Sequence, residues 1–238
     1  MTHSDRFDSA LSRSGDAELL ASFLRGVYGW MCAGLAITAV TAGFVASSPA
    51  IATAIVTNRV LFWALALAQI GIVFALSAQV DRLAASTAAA LFIVYSALTG
   101  VTLSFVLLLY TGESVATTFV VAGGMFGALA LYGAVTRRSL SGIGQFLFMG
   151  VVGLVLASLV GMFWHNDGLQ FMIAFVGVLV FAGLTVYDAQ RLKALAFATP
   201  NGSASARTIV GALALYLDFI NLFLFLLRFL GNRRDDWR

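Results

Sequence analysis

The sequence predicts an all-α integral membrane protein that folds as a bundle of seven transmembrane helices. Of its 238 residues, 61% are hydrophobic and only 11% are charged, whereas about a quarter of the residues of a soluble domain are charged. Seven stretches are long enough to cross a bilayer, which takes roughly 20 mostly apolar residues in a helix. Their apolar residues run continuously instead of alternating with polar ones, which favours helices over a transmembrane β-barrel.

Polar and turn-forming residues separate the seven stretches. Ser47-Ser48-Pro49 follows the first stretch, and Pro200 lies in the longest loop, before the last stretch. Both prolines are outside the stretches, as expected for a residue that interrupts the hydrogen bonds of a helix. The predicted spans cover about residues 23–47, 60–79, 84–109, 115–136, 143–164, 169–191 and 208–230.

The chain ends flank a single membrane domain. Residues 1–22 are polar, carry charges of both signs and precede an apolar run that is too long for a signal peptide. We therefore expect an uncleaved, mobile N-terminal arm. Residues 23–231 form the seven-helix domain, and residues 232–238 form a charged C-terminal tail.

The distribution of Lys and Arg predicts the orientation, because cytoplasmic loops carry an excess of both. The N-terminal side holds nine of these residues: Arg6, Arg13, Arg25, Arg82, Arg137, Arg138, Arg191, Lys193 and Arg207. The other side holds four: Arg59, Arg233, Arg234 and Arg238. We expect the N-terminus in the cytoplasm and the C-terminus outside. The basic tail would also fit a last helix that re-enters the membrane instead of crossing it.

Several functional classes lack the residues that they need. Cys32 is the single cysteine, so an internal disulfide and a Cys/His metal cluster are excluded. The arginines are scattered and not interleaved with aromatic residues, which argues against a nucleic-acid partner. His3 and His165 both lie outside the spans, so no histidine can activate a membrane-buried serine. We expect no enzymatic activity and no cofactor.

Small residues inside the spans indicate close helix packing. Gly123 and Gly127 form a small-xxx-small pair, and Gly150 with Gly153 gives a second small face. Such residues let helix backbones approach each other in lipid. We interpret them as packing within one bundle, which favours a monomer, with a homodimer face as the alternative.

Three charged residues lie within the predicted hydrocarbon: Asp188, Asp218 and Arg228, whereas Arg25 and Arg191 are at span ends and are counted with the loops. A charge at membrane depth is costly, so it normally faces a bundle interior or a water-filled cavity. Asp218 lies roughly 15 Å into the last span, and Asn221 follows it on the same helix face. Alternatively, Asp188 is an interfacial carboxylate, Asp218 a neutral tie between helices, and Arg228 an interfacial anchor.

The last span contains the string Tyr216-Leu217-Asp218-Phe219-Ile220-Asn221. The segment around it, 212–231, resembles the terminal signature of the Bax inhibitor-1 family, which is also known as the transmembrane Bax-inhibitor-motif proteins. Segments 23–29 and 95–104 and the string Tyr187-Asp188-Ala189-Gln190 also match the family. The resemblance covers about residues 20–231. It implies a seven-helix bundle whose last helix is near the centre and is wrapped by the other six.

The resemblance also implies a function in the bacterial inner membrane. One bacterial branch behaves as a pH-sensitive calcium leak, in which aspartates of the sixth and seventh spans are hydrogen-bonded and a nearby arginine modulates them. Asp188 and Asp218 match the aspartates, Arg82 is the best match for the arginine, and Tyr187 and Asn221 are supporting polar residues. Another branch associates with a membrane-bound AAA protease, and the mixed-charge arm here looks more like that branch.

The chemistry of two neighbouring carboxyls suits a pH sensor. In a low dielectric both cannot ionise cheaply, so they share a proton and titrate as a pair. Ca²⁺ also prefers carboxylate oxygens, so protons compete with it. Our leading hypothesis is a Ca²⁺ leak gated by protonation of Asp188 and Asp218, with Ca²⁺ as permeant or bound ion. The alternative is a protein that binds and modulates the protease, in which the aspartates only hold the bundle together.

Axial counting presents one difficulty for this pair. Measured from the predicted span ends, Asp218 lies roughly 10 Å deeper than Asp188. Contact therefore requires helix tilt or a late start of the last span.

Overall fold

The computed structural model describes residues 3–136, 138–164, 166–197 and 204–232. Within these ranges the chain is α-helical without a β-strand, and its eight helices are α1 (His3–Ala46), α2 (Pro49–Thr57), α3 (Arg59–Ala78), α4 (Ala85–Leu109), α5 (Gly112–Val135), α6 (Ser141–Phe163), α7 (Asp167–Phe197) and α8 (Ala204–Leu230). The interhelical residues Arg137, His165 and Pro200 and the basic residues of the tail lie outside the described part of the chain.

Seven of these helices are long and apolar enough to cross a membrane. They are α3 to α8 and the part of α1 that covers Ala17–Ala46, with Ala206–Leu230 as the apolar part of α8. The prediction of an all-α bundle with seven spans is therefore confirmed. The seventh predicted span is α8, and the sixth is α7.

Two segments outside the predicted spans are helical. From residue 3 onwards the predicted N-terminal arm, 1–22, is helical and continuous with the first span, because α1 runs from His3 to Ala46 without interruption. Residues 3–22 contain no proline, so nothing in them prevents the helix from continuing outward. Pro49 ends α1 but also begins α2, since proline is well tolerated in the first turn of a helix, where its missing N–H would be unpaired.

The last helix is at the centre of the bundle, as expected. Helix α8 packs against α1, α4, α5 and α7, and it is the most deeply buried of the spans. Helix α3 packs mainly against α4, and α6 against α7. Four helices therefore supply the close packing around α8, not the six that we expected. The side of α8 that faces α6 and the end of α3 is less tightly covered.

Helix α8 runs the full length of the bundle. Near its start, Arg207 forms a 2.8 Å ion pair with Asp81 in the loop between α3 and α4. Just after its end, the Asn232 N–H donates to Ser114 Oγ at 2.9 Å and the Asn232 carbonyl accepts from the Thr111 N–H at 3.2 Å. Successive spans place these two loops at opposite ends of the bundle, so α8 runs from one end of the bundle to the other and is long and apolar enough to cross a membrane.

We call the end that holds the α3–α4, α5–α6 and α7–α8 connections the basic end. It carries most of the Lys and Arg residues of the described chain, including Arg82, Arg138, Arg191, Lys193 and Arg207. The other end, with the α4–α5 turn and the end of α8, is called the opposite end.

The glycines pack differently from the prediction. A side chain added at Gly123 or Gly127 would meet nothing within 4 Å, so this pair does not pack inside the bundle and the intramolecular interpretation is wrong for it. Gly127 is exposed, and Gly123 is half-buried. Gly153 is also open, whereas Gly150 lies against Val180 of α7. The closest backbone approach in this region uses Gly133 of α5 instead, which lies against the backbone of α7 at Val186.

A buried polar cluster fixes α8 to α1 and α4. The hydroxyls of Thr38 and Tyr216 lie 2.6 Å apart, and Thr38 also donates to the carbonyl of Ser96 at 2.9 Å. The rings of Phe92 and Tyr95 contact the Tyr216 ring edge to face. In lipid, such interhelical hydrogen bonds hold helices together where no hydrophobic effect does.

Candidate functional site

A cavity of about 930 Å³ lies between α6, α7, α8 and the end of α3. Asp188 of α7 and Asp218 and Asn221 of α8 all line it. The cavity exists because α6 and α3 do not pack closely against this side of α8. Apart from Ser158, α6 contributes apolar side chains to its wall, such as Val155 and Leu159. The polar groups of the cavity therefore come chiefly from α7, α8 and the loop after α3.

The side chains of Asp188 and Asp218 lie next to each other, within hydrogen-bonding range. The structure thus brings together the two carboxyls that the sequence singled out. The axial difficulty is smaller than predicted because α7 continues nine residues past Asp188, to Phe197, whereas the predicted span ended at 191. Charged residues such as Arg191 end the apolar stretch but not the helix, which extends beyond the hydrocarbon.

Asp218 is almost entirely withdrawn from solvent. Its side chain is 4% exposed, and its Oδ2 atom is buried without a hydrogen-bond donor in the described structure. A buried carboxylate oxygen without a donor is costly. This cost would be smaller if one of the two carboxyls carried a proton.

Three charged residues face this pair in the described structure. Arg191 lies one turn beyond Asp188 on α7 and lines the same cavity. Arg207 and Asp81 line the same cavity at the basic end and are ion-paired to each other. Arg82, the predicted modulating arginine, is exposed and does not line the cavity. Its side chain is therefore not brought to the pair, and its role stays a prediction.

The two supporting polar residues have different positions. Asn221 lines the cavity one turn from Asp218, and its Nδ2 donates to the carbonyl of Leu217 at 2.8 Å. Tyr187 does not line the cavity. Its ring lies against Gly144 of α6, where a larger residue would collide with it. Tyr187 therefore packs α7 on α6.

Gln190, from the same matching string, holds a loop in place. Its Nε2 donates to the carbonyl of Arg138 at 2.7 Å, and its Oε1 accepts from the Leu140 N–H at 3.0 Å. The α5–α6 connection is thereby fastened to α7 at the basic end. This residue positions the helix that carries Asp188.

A second cavity, of about 350 Å³, begins where the first one ends. It lies toward the opposite end, is lined by Tyr110 and Arg228, and shares the wall residues Ser158, Asn221 and Phe225 with the first cavity. Sequence reasoning missed Ser158 and Phe225. Ser158 did leave a signal, because it is the one hydroxyl or amide side chain between Gln145 and His165.

The pair is suited to transient cation contact more than to a closed metal site. The described residues contain no group of three His, Cys, Asp or Glu side chains that could hold a metal. Asp188, Asp218 and the Asn221 amide supply only a few of the six to eight oxygens that Ca²⁺ takes. Water would have to supply the others.

Comparison with known proteins decides the family. The model of the family described as "Inhibitor of apoptosis-promoting Bax1" matches residues 20–235, which is most of the chain. The chain belongs to the Bax inhibitor-1 family. The resemblance in the last span and in the string around Asp188 is thereby confirmed.

Bacterial members of the family match the chain over almost its whole length. The inner membrane protein YbhL of Escherichia coli strain K12 is 47% identical over 233 residues, which are 97% of this chain and 100% of that protein. An uncharacterized protein of Deinococcus radiodurans is 43% identical over 95% of this chain and 96% of its own length. One of Borreliella burgdorferi is 43% identical over 90% and 93%, respectively. Together with its seven apolar helices, this similarity identifies the chain as a multi-pass inner membrane protein of the Bax inhibitor-1 family.

Proposed function

We propose that this protein is a calcium leak of the bacterial inner membrane whose flux is controlled by the proton on the Asp188–Asp218 pair. The observation that carries this proposal is the contact of two carboxyls at the wall of a large cavity, with one buried oxygen that lacks a donor. The resemblance to the pH-sensitive calcium leak of the family supports it. The proposal requires no catalytic residue and no cofactor.

The proton acts as the switch in this account. When the pair holds one proton, Asp188 and Asp218 bind each other and α7 stays close to α8. When that proton leaves, two negative charges are in contact, and the pair must separate or take up a cation. The positive charges of Arg191 and Arg207 and the negative charge of Asp81 face the same cavity and set the pH at which this happens. Because Ca²⁺ and H⁺ use the same oxygens, Ca²⁺ occupancy of the pair falls as the pH falls.

The proposed path lies within one chain. Both cavities are formed by helices of the same bundle, so a monomer suffices. The excess of Lys and Arg at the basic end supports a cytoplasmic location for that end and for the N-terminus. The end of α8 and the C-terminal tail are then outside.

A specific feature favours the second candidate, modulation of a membrane-bound AAA protease. Helix α1 begins at His3, well before its apolar part starts at Ala17, so a charged helical extension precedes the first span. Such an extension offers a binding surface outside the membrane. In that case the aspartate pair only ties α7 to α8.

Reconstitution of the purified protein separates the two candidates. Liposomes that contain a fluorescent Ca²⁺ indicator and no other protein should take up Ca²⁺ when the wild-type protein is present, at a rate that differs between pH 6 and pH 8. Protein-free liposomes prepared in parallel give the background. Wild-type liposomes that match this background at every pH would rule out the leak and leave protease modulation as the remaining candidate.

A further inference from the structure

One face of α8 lines both cavities from end to end. Arg207, Asp218, Asn221 and Arg228 lie at successive helical repeats along this face, at spacings of 11, 3 and 7 residues. The first cavity covers the face from Arg207 to Phe225, and the second covers it from Asn221 to Arg228. The two cavities together follow α8 through most of the bundle.

The junction between the cavities has one apolar and two polar side chains. The hydroxyl of Ser158 and the amide oxygen of Asn221 can replace water around a cation. The ring of Phe225 cannot do so, and an apolar constriction excludes water when it is narrow. Ser158, Asn221 and Phe225 are the residues that line both cavities, so any continuous path between the cavities passes them.

Phe225 is held by α7, the helix that carries Asp188. Its ring stacks on Phe181 with a centroid distance of 5.7 Å and lies directly against Gly177, where an added side chain would collide with it. Gly177 and Asp188 are eleven residues apart, about three helical turns, and so lie on the same face of α7. A movement of α7 that separates Asp188 from Asp218 therefore also moves the surface on which Phe225 rests.

We propose that Phe225, with Asn221 and Ser158, forms the constriction of the pathway, and that α7 sets its width through the contact of Gly177 with Phe225. This inference rests on the proposed cation leak and adds the place at which the leak is closed. The permeant species is a small cation that exchanges part of its water for the Asn221 and Ser158 oxygens.

Flux measurements test the proposed constriction. Phe225→Ala should raise Ca²⁺ flux about fivefold or more at the pH at which wild-type flux is lower, because the apolar closure is removed. Asn221→Leu should lower Ca²⁺ flux by a similar factor at the pH at which wild-type flux is higher, since it removes the amide oxygen and keeps the size of the side chain. Phe229→Ala is the matched control: it lies one turn further along α8, touches Phe171 and Phe175, and lines neither cavity. It should leave flux unchanged.

Thiol labelling tests the path without relying on flux. In a Cys32→Ser background, Asn221→Cys should react with a membrane-impermeant, positively charged thiol reagent added from either face, because Asn221 lines both cavities. Phe229→Cys should react from neither face. Each variant is first shown to be monodisperse in detergent, so a misfolded protein is not scored.

The outcomes separate the two proposals. Wild-type protein without flux contradicts the proposed function. If the wild type conducts, then unchanged flux in Phe225→Ala, or labelling of Asn221→Cys from one face only or from neither, overturns the constriction and leaves the leak standing. Labelling from neither face would mean that lipid chains fill the cavities.

Discussion

Arg207 donates to Asp81 Oδ1 at 2.8 Å, and this ion pair joins the start of α8 to the loop that follows α3. Both residues line the large cavity at the basic end, and we expect the mouth of the cavity to lie there. The side chain of Asp81 is 68% exposed, so water and salt weaken the attraction. The contact is therefore weak enough to open under ordinary conditions.

Breaking this ion pair should ease entry to the cavity at little cost in stability. We expect Asp81→Asn to raise Ca²⁺ flux severalfold while lowering the free energy of unfolding by no more than about 1 kcal/mol, as is typical of an exposed pair. The double swap Asp81→Arg with Arg207→Asp should restore wild-type flux. If the swap and Asp81→Asn give equal flux, the mouth does not depend on this contact.

The arginine that tunes the proton can be identified by comparing Arg191 with Arg82. Arg191→Gln removes a positive charge one turn from Asp188 at the cavity wall, so the midpoint of the pH–flux curve should move upward. Arg82→Ala should shift the curve less, because Arg82 is exposed and outside the cavity wall. A larger shift in Arg82→Ala than in Arg191→Gln would restore the role that the family resemblance implies for Arg82.

The hydroxyl of Tyr216 should contribute to stability and not to pH sensing. Tyr216→Phe removes its contact with Thr38, and interhelical hydrogen bonds in membranes contribute about 0.6 to 1.7 kcal/mol. Thermal unfolding in detergent should therefore show a lower midpoint, while the shape of the pH–flux curve is retained. Tyr132→Phe, on the exposed face of α5, is the control and should leave the midpoint unchanged. A pH–flux curve flattened by Tyr216→Phe would show that the cluster takes part in gating.

The proposed orientation can be checked with reporter fusions. Reporters inserted after Gln79 and after Thr136 should be active in the cytoplasm, and one inserted at Glu113 should be active outside. This result is expected because the basic end carries most of the Lys and Arg residues. A cytoplasmic signal from the Glu113 insertion would reverse the orientation of the path.

Much of the fold was predictable because lipid imposes a simple rule on the sequence. Each span must be long and apolar, so the spans are visible in composition alone. The predicted ends of the first and third spans, at 47 and 109, agree with the ends of α1 at Ala46 and of α4 at Leu109. The charges within the predicted hydrocarbon singled out Asp188 and Asp218, whereas the central position of α8 and the pairing of the two aspartates came from the resemblance around Asp218.

The packing of the glycines and the position of the junction between the cavities depend on the rotational orientation of each helix. This orientation cannot be read from the sequence of a helix that is apolar on all sides. Gly123 and Gly127 have the spacing of a packing pair but a side chain added at either would meet nothing within 4 Å, whereas Gly144 and Gly177, which have no such spacing between them, pack against large rings of other helices. The junction residue Phe225 resembles any other phenylalanine of α8 in the sequence. Its role appears only when two cavities are found on either side of it.

The central claim is that Asp188 and Asp218 act together as one titrating unit. Asp218→Asn keeps the size and hydrogen-bonding capacity of the side chain but removes its charge and its proton. The bundle should remain folded, because a neutral amide is easier to bury than a carboxylate. Asp188 then has no like-charged neighbour, so the coupled pH dependence should be lost.

The most direct test is the pH–flux curve from pH 5 to pH 9 for the wild type, Asp188→Asn, Asp218→Asn and the double variant in the same liposomes. The account predicts that wild-type flux changes with pH, that each single variant removes this change, and that the double variant differs little from either, as expected for residues of one unit. A wild-type pH response that persists in all three variants would contradict it.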